Sequence, residues 1–320
     1  MRTFVFFGGK GGVGKTTVSS AYGLKCARAG LETLVVSTDP AHSTSDVFGQ
    51  QFDDDPAPVE GQEGLSAMEL DPDEEVERHM MEIKRRMSDQ VSPSIVNEID
   101  RQIELAHQTP GAYEAALFDR FIEVMRDSDE YDRVVFDTSP TGGTLRLLAL
   151  PEFLGDWLDR LIDKRTESVD LFEKAAIGKK EARKRLADDP IIEHLRQRKE
   201  KFEFAAETLR ERAAFYMVLN PDDLSIRETD RAIAELSDQG LAVDGLVVNR
   251  LTPPPDDDED GRGARFLRDR VATERERVER IGALGPPVVA TIETRIEEVT
   301  GDLLGEVAEE LEVAVTPAEA

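Results

Sequence analysis

Cysteine is nearly absent from this chain: Cys26 is the only one in 320 residues. A single thiol excludes an internal disulfide and any metal site that draws several thiolates from one chain. Lysine is scarce as well. Of 40 basic residues 29 are Arg and 11 are Lys, set against 67 acids for a net charge of −27. Such an excess of carboxylates repels itself unless salt screens it, which points to a salt-rich, halophilic cytoplasm. The alternative is an acidic surface made for a basic partner. The clustered cations that a phosphate backbone demands are missing, which argues against nucleic acid as a partner. No stretch approaches the roughly 20 apolar residues of a membrane-spanning helix. Met1-Arg2-Thr3 runs straight into an apolar segment with no room for a signal peptide, so a cytoplasmic location is expected.

What is present is a series of short apolar runs ending in polar or turn residues: 3–7, 32–37, 65–70, 131–136, 214–219, 246–248 and 287–292. Most are continuously apolar, as strands covered on both faces are. Helical patterns separate them, which gives an α/β, doubly wound, mostly parallel sheet in a single domain spanning 1–320. Two stretches, about 71–128 and 152–212, carry helical periodicity with almost no strand signal. They are expected to form a helical subdomain inserted into the core. Residues 252–263 combine three prolines with an acidic run and read as a loop.

The chemistry concentrates at Gly9-Lys10-Gly11-Gly12-Val13-Gly14-Lys15-Thr16, which satisfies G-x-x-x-x-G-K-[ST]. A strand leads in, and a helix from Thr16 to Ala29 leads out, closed by Gly30. Glycines let backbone N–H groups converge on phosphate oxygens, and the helix N-terminus adds positive potential. Lys15 reaches the β and γ phosphates of ATP, the Thr16 hydroxyl ligates Mg2+, and Thr17 completes the binding segment. Lys10, a second lysine inside the loop, is not needed to cradle phosphates in its own subunit. It fits a charge offered to the phosphates of a facing copy. Asp39 and Asp137 each follow an apolar strand at the sheet edge that carries the loop. Asp137 suits a Walker-B carboxylate holding the metal through water, and Asp39 a group that orients or deprotonates the attacking water.

Residues 9–16 resemble the deviant Walker A of SIMIBI-class P-loop ATPases. Ser37-Thr38-Asp39-Pro40-Ala41-His42-Ser43-Thr44-Ser45-Asp46 is similar to switch I of the arsenite-pump ATPase family. The run Asp137-Thr138-Ser139-Pro140-Thr141-Gly142-Gly143-Thr144-Leu145-Arg146-Leu147-Leu148 is similar to its switch II. The family includes ArsA and the GET-pathway ATPase that delivers tail-anchored membrane proteins. The resemblance implies that Lys10 is the intersubunit lysine of a nucleotide-linked homodimer, that Asp39 positions water, and that Pro140, Thr141 and Gly142 switch with hydrolysis. It further implies that Asn249, in Val247-Val248-Asn249-Arg250, reads adenine. With the composition, it implies an archaeal, halophilic member.

The implied function is ATP-driven capture and release of hydrophobic transmembrane helices, handed to a membrane receptor. The alternatives are an ArsA-type energiser of an arsenite pump and a ParA- or MinD-like positioning ATPase. Gly143 stands where the family usually has His, and residues 256–263 lack a Cys-x-x-Cys, so no zinc is expected. Apolar stripes at Val76, Met80, Ile83 and Met87, at Ile95, Ile99 and Ile103, and at Phe118, Ile122 and Met125 are candidates for a client groove. Met80 and Met87 are favoured because methionine adapts to variable partners. The competing reading is that these stripes pack on one another.

Overall fold

The computed structural model describes residues 3–38, 43–71, 112–138, 190–313 and 315, with 78, 81, 159, 160, 163 and 164. In chain order the elements are β1 (Phe4–Gly8), α1 (Lys15–Arg28), β2 (Thr33–Ser37), α2 (Ser43–Phe48), β3 (Ala57–Pro58) and β4 (Leu65–Glu69). There follow α3 (Ala112–Arg126), β5 (Arg133–Asp137), α4 (Pro190–Glu211), β6 (Ala213–Leu219) and α5 (Asp223–Asp238). The last are β7 (Gly245–Leu251), α6 (Arg262–Gly282), β8 (Val288–Glu293) and α7 (Gly301–Glu310).

The strands form one eight-stranded sheet in the order β3-β4-β2-β5-β1-β6-β7-β8. All neighbours pair in parallel except β3 with β4. The expected α/β doubly wound sheet is therefore the architecture. The seven expected runs are all strands, and β3 is an eighth that the sequence did not announce. Its two residues end in a proline that cannot donate to a ladder, which confines it to the sheet edge.

Strand residues alternate between two apolar layers. Val5, Phe7, Val35 and Val135 face α1 and α7, where they meet Val18, Tyr22, Leu304 and Val307. Phe4, Phe6, Leu34, Val134 and Phe136 face α3 and α4. Phe6 stacks at 4.6 Å on Phe136 and at 5.2 Å on Phe215, so three adjacent strands share one aromatic layer. Farther along, Leu219, Leu246 and Val248 are covered by Ile226 and Ile281 of α5 and α6.

Two of the helices expected in the inserted subdomain thus belong to the sheet's own cover. Phe118, Ile122 and Met125 of α3, one of the candidate client stripes, are buried beside Phe121 and Phe202. Periodicity identified an apolar face correctly, but it carries no information about which partner covers that face. Met80 and Met87 lie outside the described residues, as do most of 72–111 and 139–189. Among the described residues no helix is long and apolar enough to cross a membrane.

The chain runs from β1 to β2 on one side of β1 and later returns to β6 on the other. That reversal opens a crevice at the carboxyl ends of the strands, where parallel sheets bind ligands.

Candidate nucleotide site

The loop between β1 and α1 sits in this crevice. Gly9 and Gly14 have φ of 144° and 91°, which a side chain rarely adopts. Space forbids one as well. A Cβ on Gly9 would run into the carbonyl oxygen of Val218, and one on Gly14 into the side-chain amide of Asn249. The glycines are therefore required by close backbone approach as well as by conformation. Gly11 and Gly12 are exposed at the tip, Val13 is buried beneath it, and Lys10 and Thr17 are half-buried. Lys15 begins α1 and donates from Nζ to the Lys10 carbonyl at 3.2 Å, so its ammonium lies folded over its own loop.

Strand register brings the acids to the loop. Asp137 is level with Phe7 of β1 and with Ser37 of β2. The Thr16 hydroxyl donates to Asp137 Oδ2 at 2.5 Å, across 121 residues of sequence. Thr138 donates from its amide at 3.2 Å and its hydroxyl at 2.9 Å to the Phe7 carbonyl. Thr38 donates from both its amide and hydroxyl to the Asp137 carbonyl at 3.2 Å. The exits of β2 and β5 are thereby pinned to one another and to β1. Asp39 is the next residue beyond Thr38; it, Pro140, Thr141 and Gly142 lie outside the described residues.

The hydroxyl of Thr16 and the carboxylate of Asp137 are hard oxygen donors in contact, the type Mg2+ takes. This donor set suits a magnesium ion, which these two residues would hold.

Asn249 also converges on the loop. It is buried at the end of β7, where it donates from Nδ2 to the Val13 carbonyl at 2.7 Å and accepts from the Arg250 amide at 2.9 Å. On the other flank stands a group that sequence reasoning did not single out. Glu69, buried at the end of β4, accepts from the Ser45 amide at 2.9 Å and the Ser45 hydroxyl at 2.8 Å. Ser45 belongs to the switch I motif, so Glu69 fastens the helix that begins within it. An acid closing an apolar strand at this edge, as Asp137 does, was the available signal.

Asp222 caps α5 and accepts from the amides of Leu224 and Ser225. Burial pushes its pKa up, but those hydrogen bonds, the Ser225 hydroxyl and the nearby charge of Lys10 together hold it below the usual carboxylate range.

Comparison with known proteins agrees with this geometry. The family model described as anion-transporting ATPase matches residues 2–312. The chain belongs to this family of ATPases. It is 34% identical over 260 residues to a putative arsenical pump-driving ATPase of Aquifex aeolicus, covering 81% of this chain and 83% of that one. It is 34% identical over 265 residues to the ATPase get3 of Aspergillus terreus, covering 80% and 75%. A putative arsenical pump-driving ATPase of Halobacterium salinarum is 35% identical over 252 residues, 78% of this chain but 35% of that longer protein. As a member of the family the protein hydrolyses ATP, and its family relatives carry both pump-driving and get3-type names.

Proposed function

We propose that ATP binds at residues 9–17 and is hydrolysed by a facing pair of chains, and that the cycle captures and releases hydrophobic transmembrane helices of tail-anchored proteins. Lys15 grips the β and γ phosphates, and Asp39 orients the attacking water and takes up its proton. Thr16 would hold Mg2+ directly and Asp137 through water, the metal neutralising charge on the phosphates. Asn249 keeps one amide hydrogen and one lone pair beyond its two bonds here, the pattern that reads the edge of adenine. Lys10 reaches the phosphates of the opposing copy.

A pair meeting across the crevice is supported by where apolar side chains are left bare. Leu224, at the start of α5 beside Asp222, is 51% exposed, and Ile296, just past β8, is fully exposed. Both stand at the carboxyl edge of the sheet that carries the phosphate loop.

The observation that favours helix capture over energising an arsenite pump is Cys26. A metalloid needs several accessible thiolates, and this chain's one thiol is buried in the layer between α1 and the sheet. Burial pushes its pKa up to about 11, with Arg133 opposing, so it stays a thiol. Met81, exposed in the region of the first insertion, is apolar surface of the type a client helix would cover. A cytoplasmic location and a membrane receptor go with this function.

The test is protection of a single-helix membrane peptide. Purified Asp39→Asn protein with ATP is expected to keep such a peptide from scattering light after dilution from detergent. Aggregation at the rate seen without protein, with or without nucleotide, rejects the targeting role.

A further inference from the structure

The backbone of β7 is distorted at one place. Its register against β8 shifts between Leu246 and Val247 and again between Val248 and Leu251. Within that second irregularity Arg250 has φ 62°, the only non-glycine with positive φ among the described residues. An arginine gains nothing from the left-handed region, so the surrounding structure must impose it. Strand bulges of this type re-aim side chains next to functional sites.

Here the re-aimed side chain is Asn249. Its Oδ1 is fixed by the amide of Arg250 at 2.9 Å, which leaves Nδ2 directed at the Val13 carbonyl at 2.7 Å. The contact is tight on both sides of the Val13–Gly14 peptide, because a Cβ at Gly14 would strike the same Nδ2. Gly14 is the N-cap of α1, and among the described residues no side chain caps that helix. The helix N-terminus and the loop amides that receive phosphate are thus oriented from outside the loop, by a residue 236 positions away.

We propose that Asn249 is a positioning residue for the phosphate loop. Its side-chain amide, aimed by the bulge at Arg250, fixes the Val13–Gly14 peptide, so the grip on a triphosphate depends on it even when no base is present. This rests on the reading of residues 9–17 as the phosphate site. It separates from base recognition because a base reader affects only ligands that carry a base.

The probe is inorganic tripolyphosphate with Mg2+, titrated calorimetrically into the full chain beside ATP. Asn249→Ala is expected to weaken tripolyphosphate by about ten-fold, the order of one lost buried hydrogen bond. Asn249→Asp keeps the shape but turns a carboxylate oxygen toward the Val13 carbonyl, and is expected to weaken it further. Hydrogen exchange of residues 9–17 in the free protein should quicken in both variants, a readout that needs no ligand. Wild-type tripolyphosphate affinity in both variants, with ATP alone weakened, overturns the proposal, as does unchanged exchange. Lys15→Ala distinguishes the two levels of inference. It should abolish tripolyphosphate binding, and if it does not, the phosphate site itself is misassigned and the role of Asn249 falls with it.

Discussion

On the β4 flank of the phosphate loop, Glu69 takes the amide and hydroxyl of Ser45; on the β7 flank, Glu274 takes the amide and hydroxyl of Thr252 at 2.7 and 2.8 Å. Both carboxylates are buried, and each clips the first turns of chain beyond a strand end. The two clips differ in what they hold. Glu274 is also held by the Arg270 guanidinium at 2.9 Å, on its own helix, and it stands behind the bulge that aims Asn249. Glu69 holds the helix that begins within switch I, the segment bearing the proposed water-orienting Asp39. On the proposed reading, one flank is a platform for the loop and base, and the other ties down a part whose position follows the γ phosphate. The same chemical device would then serve rigidity on one side and timing on the other.

Breaking the clips separately should expose that division. The largest effect is expected for Glu69→Ala, which strands the Ser45 amide and hydroxyl and lets switch I drift. Its kcat should fall roughly 10- to 100-fold with KM for ATP nearly unchanged, since displacement of a positioned group by about an ångström costs that much. Steady-state ATPase assays check this. Glu274→Ala should instead raise KM and spare kcat. A shared pattern in the two variants would erase the distinction.

A smaller effect is expected for Glu274→Gln, which should lose about 1–3 kcal/mol of stability at pH 7 in urea unfolding, the cost of a buried group left badly paired. The pH dependence sharpens this. Burial pushes the Glu274 pKa up, but the Thr252 amide and hydroxyl and Arg270 outweigh it and hold the carboxyl below its usual range. A depressed folded pKa adds stability above the unfolded value of about 4.3 and loses it as pH falls through the folded value. The stability gap between wild type and Glu274→Gln should therefore close below about pH 4. The least effect is expected for Asp223→Asn. Its pairs with Arg277 and Arg280 join α5 to α6 in open solvent, so urea unfolding should barely distinguish it from wild type.

How much of this was legible in the sequence follows the range of the interactions. Gly9 to Thr16 was readable because its demands are local: turns, a helix start and a lysine reach. Asp137 was readable because a strand-end acid in a parallel sheet has few places to go. Asn249 was identifiable only through resemblance, and its hold on Val13 was not, because it depends on a bulge and on register across three strands. Glu69 was passed over for the same reason, its partner Ser45 lying on a different strand's exit. Phe118, Ile122 and Met125 read as an apolar stripe, yet nothing local says that a stripe covers a sheet rather than a client.

The most direct measurement concerns the facing pair. Lys10→Ala and Lys15→Ala chains, each nearly inactive alone, are mixed and assayed for ATP hydrolysis. If Lys10 serves the partner's phosphates, a mixed pair regains one whole site, and activity should rise to about a quarter of wild type under random two-fold pairing. If the mixture stays as inactive as its components, Lys10 acts within its own chain and the pair is not the unit of hydrolysis.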